Sequence, residues 1–187
     1  MTLSHGHPTC GKSRFSNHKN LTTMSIWRRI LGLSTKPIMP EPESGHLHRL
    51  DDDNCLYIHR VVTADYNLYS EQGIAWFTIR ISADPAENQS DEPITSPWLE
   101  ISITTLGRPD PVLTECAYFP IPAYTSELGN LTNVFYYTHG SLEDGVLVIE
   151  RITANGIVIR ISGSSDDDPI VVRCIANHNA ALKRSIQ

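Results

Sequence analysis

The stretch from residue 146 to residue 161, VLVIERITANGIVIRI, decides the fold class of this chain. It contains two runs of β-branched and aliphatic residues, 146–152 and 157–161, on either side of a turn that ends in Asn155 and Gly156. Valine and isoleucine are enriched in strands, and an Asn-Gly pair tolerates the positive φ angles of a tight turn. The stretch therefore predicts an antiparallel hairpin.

The same strand-forming composition recurs along the chain. Proline, glycine and aspartate turn signals separate the runs, and no long amphipathic stretch between them could form the helical crossover that parallel strands need. We therefore expect an all-β domain, an antiparallel β-sandwich or partly open barrel of about 7–9 strands. The last four runs are expected to form a C-terminal four-strand meander. The predicted strands are 55–62, 74–81, 98–105, 134–139, 146–152, 157–161 and 170–175.

The ends of the chain differ from this body. Residues 1–23 are polar and lack periodicity, which predicts a disordered leader, and Met24 is an alternative start of the natural product. Residues 24–46 combine a short basic and apolar opening, of the kind that begins many compact bacterial proteins, with a proline-rich linker. We expect the β domain at 47–176 and a tail at 177–187 that forms a short helix or frays.

Composition and charge limit the classes of function. Hydrophobic residues make up 40% of the 187 residues and charged residues 19%, which is enough apolar material for a core. Residues 1–50 carry seven Lys or Arg and two acids, whereas the rest carries eight and nineteen. No lysine lies between Lys36 and Lys183, so we expect no nucleic-acid binding by the body. No apolar run is long enough for a transmembrane segment, and we expect a cytoplasmic protein.

Acidic loops are the first candidate site. Asp166, Asp167 and Asp168 follow a Gly-Ser-Ser sequence, and a second acidic loop contains Asp84 and Asp91. Ca²⁺ needs six to eight oxygen ligands, which two such loops could supply if they met at one end of a sandwich. That arrangement would be similar to calcium-binding modules of the C2 type, although no calcium-loop motif of that family is present. The alternative is a pair of solvated acidic turns.

Cysteine and histidine provide two further candidates. Two Cys-x₃-His pairs have same-face spacing on a strand and could bind zinc if their strands were neighbours; these are Cys55 with His59 and Cys174 with His178. Cys116 could pair with His139 as a nucleophile and base. The chain contains no catalytic, phosphate-loop or dinucleotide motif, so unreactive cysteines and a protein without enzymatic activity are favoured.

The last candidate is a protein interface on an outer sheet face. Alternation within 74–81 directs Phe77 and Ile79 to the core and therefore Trp76 and Arg80 outward, and Trp98 shares the outward face of its strand with polar residues. Tryptophan and arginine are enriched at binding hot spots. The alternative is that Trp76 is covered by the linker, residues 38–47.

The sequence thus favours a non-catalytic β-sandwich that binds an unidentified protein partner or assembles with itself. The main alternative is a calcium-dependent binding module that uses the acidic loops; an enzyme ranks below it. No cofactor other than Ca²⁺ is indicated.

Overall fold

A computed structural model describes residues 39–51, 54–86, 96–104, 113–122, 124–125, 129–136 and 139–185. The predicted leader, the opening that follows Met24 and Asp91 lie outside these residues. The described residues belong to one compact unit, Met39–Gln187. They form twelve strands: β1 (His46–Leu50), β2 (Leu56–Glu71), β3 (Ile74–Ala83), β4 (Trp98–Thr104), β5 (Ala117–Ile121), β6 (Tyr124–Thr125), β7 (Gly129–Asn130), β8 (Thr132–Phe135), β9 (His139–Gly140), β10 (Glu143–Thr153), β11 (Gly156–Ser165) and β12 (Asp168–His178).

The predicted all-β class is confirmed. Ten strands form one open sheet in the order β5-β10-β11-β12-β1-β2-β3-β4-β8-β9, and β6 pairs with β7 separately. The sheet is antiparallel apart from a short parallel contact between β12 and β2. The described residues include no helix long and apolar enough to cross a membrane.

The predicted four-strand meander is wrong in one member. Strands β10, β11 and β12 are consecutive antiparallel neighbours, as expected. The predicted strand 134–139 divides into β8 and β9, and β8 pairs with β4 at the other end of the sheet order. The meander therefore has three strands, and the main sheet has ten strands rather than 7–9.

Strand β2 bends the sheet. Its first residues pair with β1, whereas its remainder, after an irregularity between Val61 and Thr63, pairs with β3. A bulge of this kind bends a strand and increases its twist. As a result Phe77 of β3 contacts Phe119 of β5, with ring centroids 6.0 Å apart, although five strands separate β3 from β5 in the sheet order. The sheet thus curls around one core as a partly open barrel.

The core follows the alternation that the sequence predicts. The side chains of Phe77, Ile79 and Ile81 are fully buried, and they pack with buried isoleucines of β10 and β11. Burying a side chain of this size contributes about 1.5–3 kcal/mol, so these rows are the main source of stability.

Three tight turns depend on unusual backbone angles. The predicted hairpin joins β10 to β11, but only Gly156 of the Asn-Gly pair has a positive φ, +157°. The β2–β3 hairpin turns at Gln72 and Gly73, whose φ angles are +52° and +78°. Between β11 and β12, Asp166 and Asp167 occupy the same conformation, at +52° and +68°. Two successive positive φ angles are typical of a type I′ turn.

We expect the double substitution Asp166→Asn and Asp167→Gly to raise the free energy of unfolding by about 1 kcal/mol. Asn-Gly is the preferred type I′ pair, and left-handed angles cost most non-glycine residues roughly 1–2 kcal/mol. Urea unfolding of both proteins, with Ca²⁺ and with a chelator, measures the effect. A Ca²⁺-dependent gain in the wild-type midpoint that the double variant loses would instead identify these aspartates as calcium ligands.

Residues on both sides of the predicted domain pack on the sheet. Before β1, the Glu41 carboxylate accepts hydrogen bonds from the Arg160 guanidinium, which holds the pKa of Glu41 below its usual value. After β12, residues 179–185 lie on the half of the sheet that contains β2, β3 and β4. They consist of a turn at Ala180 and Ala181 followed by irregular chain, and we call residues 179–185 the C-terminal strap.

Candidate functional site

The outer face of β2, β3 and β4 carries a grid of polar and aromatic side chains. The strand register aligns them in three rows across the strands, and we call this surface the groove. Its rows are Tyr69, Trp76 and Thr104; Asn67, Thr78 and Ser102; Asp65, Arg80 and Glu100.

Hydrogen bonds connect neighbouring members of these rows. The Thr78 hydroxyl lies 3.0 Å from that of Ser102, and Arg80 donates to Glu100 through Nε and Nη2 at 3.0 and 2.6 Å. A face open to water would leave these groups exposed, yet Glu100 is only 6% exposed. The groove is buried because the strap covers it.

The strap main chain is held by side chains of the groove. Asn67 Nδ2 donates to the carbonyl oxygens of Ala180 and Leu182 at 3.2 and 2.8 Å. The Tyr69 hydroxyl accepts from the Arg184 amide at 2.8 Å, and Glu100 Oε1 accepts from the amide of the next residue at 2.7 Å. These contacts satisfy strap backbone groups that no strand pairs.

Three side chains of the strap are held in different ways: Leu182 by burial, Arg184 by a cation–π interaction and Ser185 by hydrogen bonds. Leu182 is 6% exposed. The guanidinium carbon of Arg184 lies 4.5 Å from the centroid of the Trp76 ring, within the range of a cation–π interaction. The Ser185 hydroxyl donates to Glu100 Oε2 at 3.0 Å and lies 3.2 Å from Arg80 Nη2.

The structure places Trp76 on the outer face, as expected, but beneath a different cover. Trp76 is 3% exposed, and the strap covers it rather than the linker. Trp76 is therefore not accessible to a partner while the strap is docked. The half-exposed guanidinium of Arg80 remains at the edge of the strap.

Trp98 lies beside the groove in an aromatic cluster. Its ring stacks on Phe135, with centroids 6.1 Å apart, and contacts His139 edge-on at 5.8 Å. The register aligns these three residues on β4, β8 and β9, next to the row that ends in Glu100. This aromatic rim is the partly open continuation of the groove.

A second polar cluster lies where β1, β2 and the end of β8 meet. The His59 ring is fully buried, with Nδ1 3.0 Å from the Asp84 carbonyl oxygen and Nε2 3.0 Å from the Tyr136 hydroxyl. Because a carbonyl only accepts, Nδ1 carries the proton and Nε2 accepts from the tyrosine. The Arg49 guanidinium lies 4.0 Å from the Tyr136 ring centroid and forms an ion pair with Asp168.

Burial lowers the pKa of His59, and the nearby charges of Arg49 and His48 act in the same direction. The folded protein therefore holds this imidazole neutral, while the unfolded chain binds a proton near pH 6.5. Stability from this group is complete above about pH 6.5 and is lost as the pH falls through the lower pKa of the folded state.

We expect His59→Gln to weaken the loss of stability between pH 7 and pH 5. The glutamine cannot be protonated, so the contribution of position 59 to the pH dependence disappears. Burial also lowers the pKa of His48, which leaves a smaller residual slope. Urea unfolding at several pH values measures how the free energy of unfolding depends on pH. The same pH dependence in the wild type and the variant would contradict the assignment to His59.

The predicted calcium ligands have other partners in the described structure. Asp168 pairs with Arg49, Asp84 pairs with Arg60 at 2.8 Å, and Asp166 and Asp167 form a turn. Within the described ranges, no three His, Cys, Asp or Glu side chains are grouped so that they could hold a metal ion.

The zinc and nucleophile hypotheses for the cysteines also find no support in the described residues. Burial raises the pKa of Cys174 to about 12, so its thiol stays protonated in the described structure. Both ring nitrogens of His59 are engaged in hydrogen bonds. Cys116 precedes β5 and His139 belongs to β9, which are the opposite edges of the sheet.

The sequence reasoning missed the strap and the residues that hold it. The available signal was Leu182, a large apolar residue in a polar tail, together with the polar alternation of Asp65, Asn67 and Tyr69. Comparison with known proteins adds no further candidate: no family model, curated protein or solved structure matches this chain.

Proposed function

We propose that the protein has no catalytic role and acts by binding another protein or a second copy of itself. The groove and its aromatic rim are the interaction face. One observation carries this proposal: the surface that bears Trp76 and Arg80 already binds a polypeptide segment, the strap. Side chains of the groove hold this segment largely by hydrogen bonds to its main chain.

The aromatic rim supports the same face. Trp98 and Phe135 are partly exposed beside a buried carboxylate, Glu100. A partly open aromatic surface next to hydrogen-bonding groups is the composition that protein interfaces favour. A partner could contact the rim while the strap remains in place.

A photo-cross-linking amino acid at position 98 tests the proposal in a native cell extract. We expect a discrete cross-linked species, either a dimer or a complex with one other protein. The matched control carries the same group at Arg151, which is exposed on β10 in the other half of the sheet. No discrete product, or the same products from both positions, would contradict the proposal.

A further inference from the structure

The way in which the strap is held indicates what the groove recognises; this inference rests on the proposed function. Asn67, Tyr69 and Glu100 bind the strap main chain, so these contacts are independent of the ligand side chains. Asn67 binds a turn in which the Leu182 amide donates to the Asn179 carbonyl oxygen at 3.0 Å, and Tyr69 and Glu100 bind the residues that follow it. Hydrogen bonds to the main chain of a peptide, combined with pockets for its side chains, are a recurring means of peptide recognition.

The remaining contacts define a side-chain preference. One apolar residue, Leu182, is buried, the guanidinium two residues later lies on Trp76, and the following hydroxyl bonds to Glu100 and Arg80. Lys183, between them, has its Nζ only 3.7 Å from a Glu71 carboxylate oxygen. Glu71 thus faces a basic residue of the strap, while Glu100, which is paired with Arg80, accepts hydrogen bonds from the Ser185 amide and hydroxyl.

We infer that the groove is a recognition site for a basic peptide of the pattern Leu-x-Arg-Ser. The strap is its intramolecular ligand, and a partner that presents the same pattern binds when it displaces the strap. A small cavity of about 30 Å³ lies beside Ser185 and is lined by Thr132 and Asn133 of β8.

The strap also regulates access to the groove. A ligand tethered to its own site is present at an effective concentration in the millimolar range, so a free peptide must compete with it. Wild-type protein is therefore largely closed to the partner, and weakening the strap opens the site without altering the groove.

The test uses the full chain with Leu182→Asp and Arg184→Glu, which removes the buried leucine and reverses the charge over Trp76. The probe is a fluorescent peptide with the sequence of residues 179–187, NAALKRSIQ. We expect its Kd for this released variant to be at least about 10-fold lower than for the wild type, measured by fluorescence anisotropy. A peptide carrying the same Asp and Glu replacements is the control ligand.

A groove variant completes the design. Asn67→Asp keeps the size of the side chain but replaces the two donated hydrogen bonds with acceptors, so adding it to the released variant should weaken peptide binding at least about 10-fold. If the released variant does not fold by circular dichroism, Arg184→Ala alone provides the milder opening, for which an intermediate Kd is expected.

Two results overturn the inference: a folded released variant that does not bind the peptide, or equal affinities for the wild type and the released variant. A cross-link from position 98 that persists in either case leaves the proposed function intact with a partner of different chemistry. Peptide binding without any cross-link would support the recognition site and contradict only the part of the proposed function that includes the aromatic rim.

Discussion

Replacing Arg49 with methionine is expected to lower the free energy of unfolding by about 3–5 kcal/mol, because it breaks a buried ion pair on one side. The side chains of Arg49 and Asp168 are 19% and 10% exposed. Methionine preserves most of the volume of arginine but leaves the Asp168 carboxylate without its guanidinium. It also removes the cation from the Tyr136 ring, 4.0 Å away. Urea unfolding at neutral pH measures the loss.

The matched control is Arg60→Met. The Arg60 and Asp84 side chains are 76% and 43% exposed, and ion pairs in water contribute only about 0–1 kcal/mol. Adding Asp168→Asn to the Arg49 variant should recover part of the stability, since asparagine carries no charge that the guanidinium would have to balance. Equal losses for Arg49→Met and Arg60→Met would show that burial does not decide the strength of these pairs.

Local patterns predicted the features that depend on neighbouring residues. The alternation in β3 identified Phe77, Ile79 and Ile81 as core, and the β-branched runs identified the hairpin of β10 and β11. In a strand the side-chain period of two links sequence directly to a face, so such predictions need no knowledge of the strand order.

Strand order depends on contacts that local patterns do not encode. β8 is close in sequence to β10 but pairs with β4, because the bend in β2 brings the β3–β4 pair across the core. The prediction of a four-strand meander assumed that consecutive strands are neighbours in the sheet, which is usually the case. β8 is an exception to this rule, so the prediction is wrong for that strand.

In the candidate site, too, local patterns predicted the face of each strand residue but not its contacts with distant parts of the chain. Alternation placed Trp76 and Arg80 outward, but the strap that covers them is more than 100 residues away in sequence. The contacts that hold it run from side chains to main chain, and these leave no periodic signal. The charge of Asp166 and Asp167 suggested metal ligands, and their positive φ angles, which the sequence did not indicate, place them in the turn between β11 and β12.

Gly156→Ala is expected to destabilise the protein by about 3–4 kcal/mol. A Cβ at this position would lie 2.2 Å from the carbonyl oxygen of Ala176 in β12, so the β11 backbone must move away from its partner strand. The φ of +157° adds strain, because it belongs to a region that almost only glycine adopts. Shifting a backbone in a packed sheet and strained dihedral angles each cost about 1–3 kcal/mol.

Gly73→Ala separates the two causes of this loss. Gly73 also has a positive φ, +78°, but a Cβ added there would meet no atom within 4 Å, so only the strain of about 1–2 kcal/mol applies. Thermal and urea unfolding of both variants should therefore show a clearly larger loss at position 156. Similar losses would mean that β12 moves away from position 156 at little cost, and that its close approach to β11 does not fix the register of the hairpin.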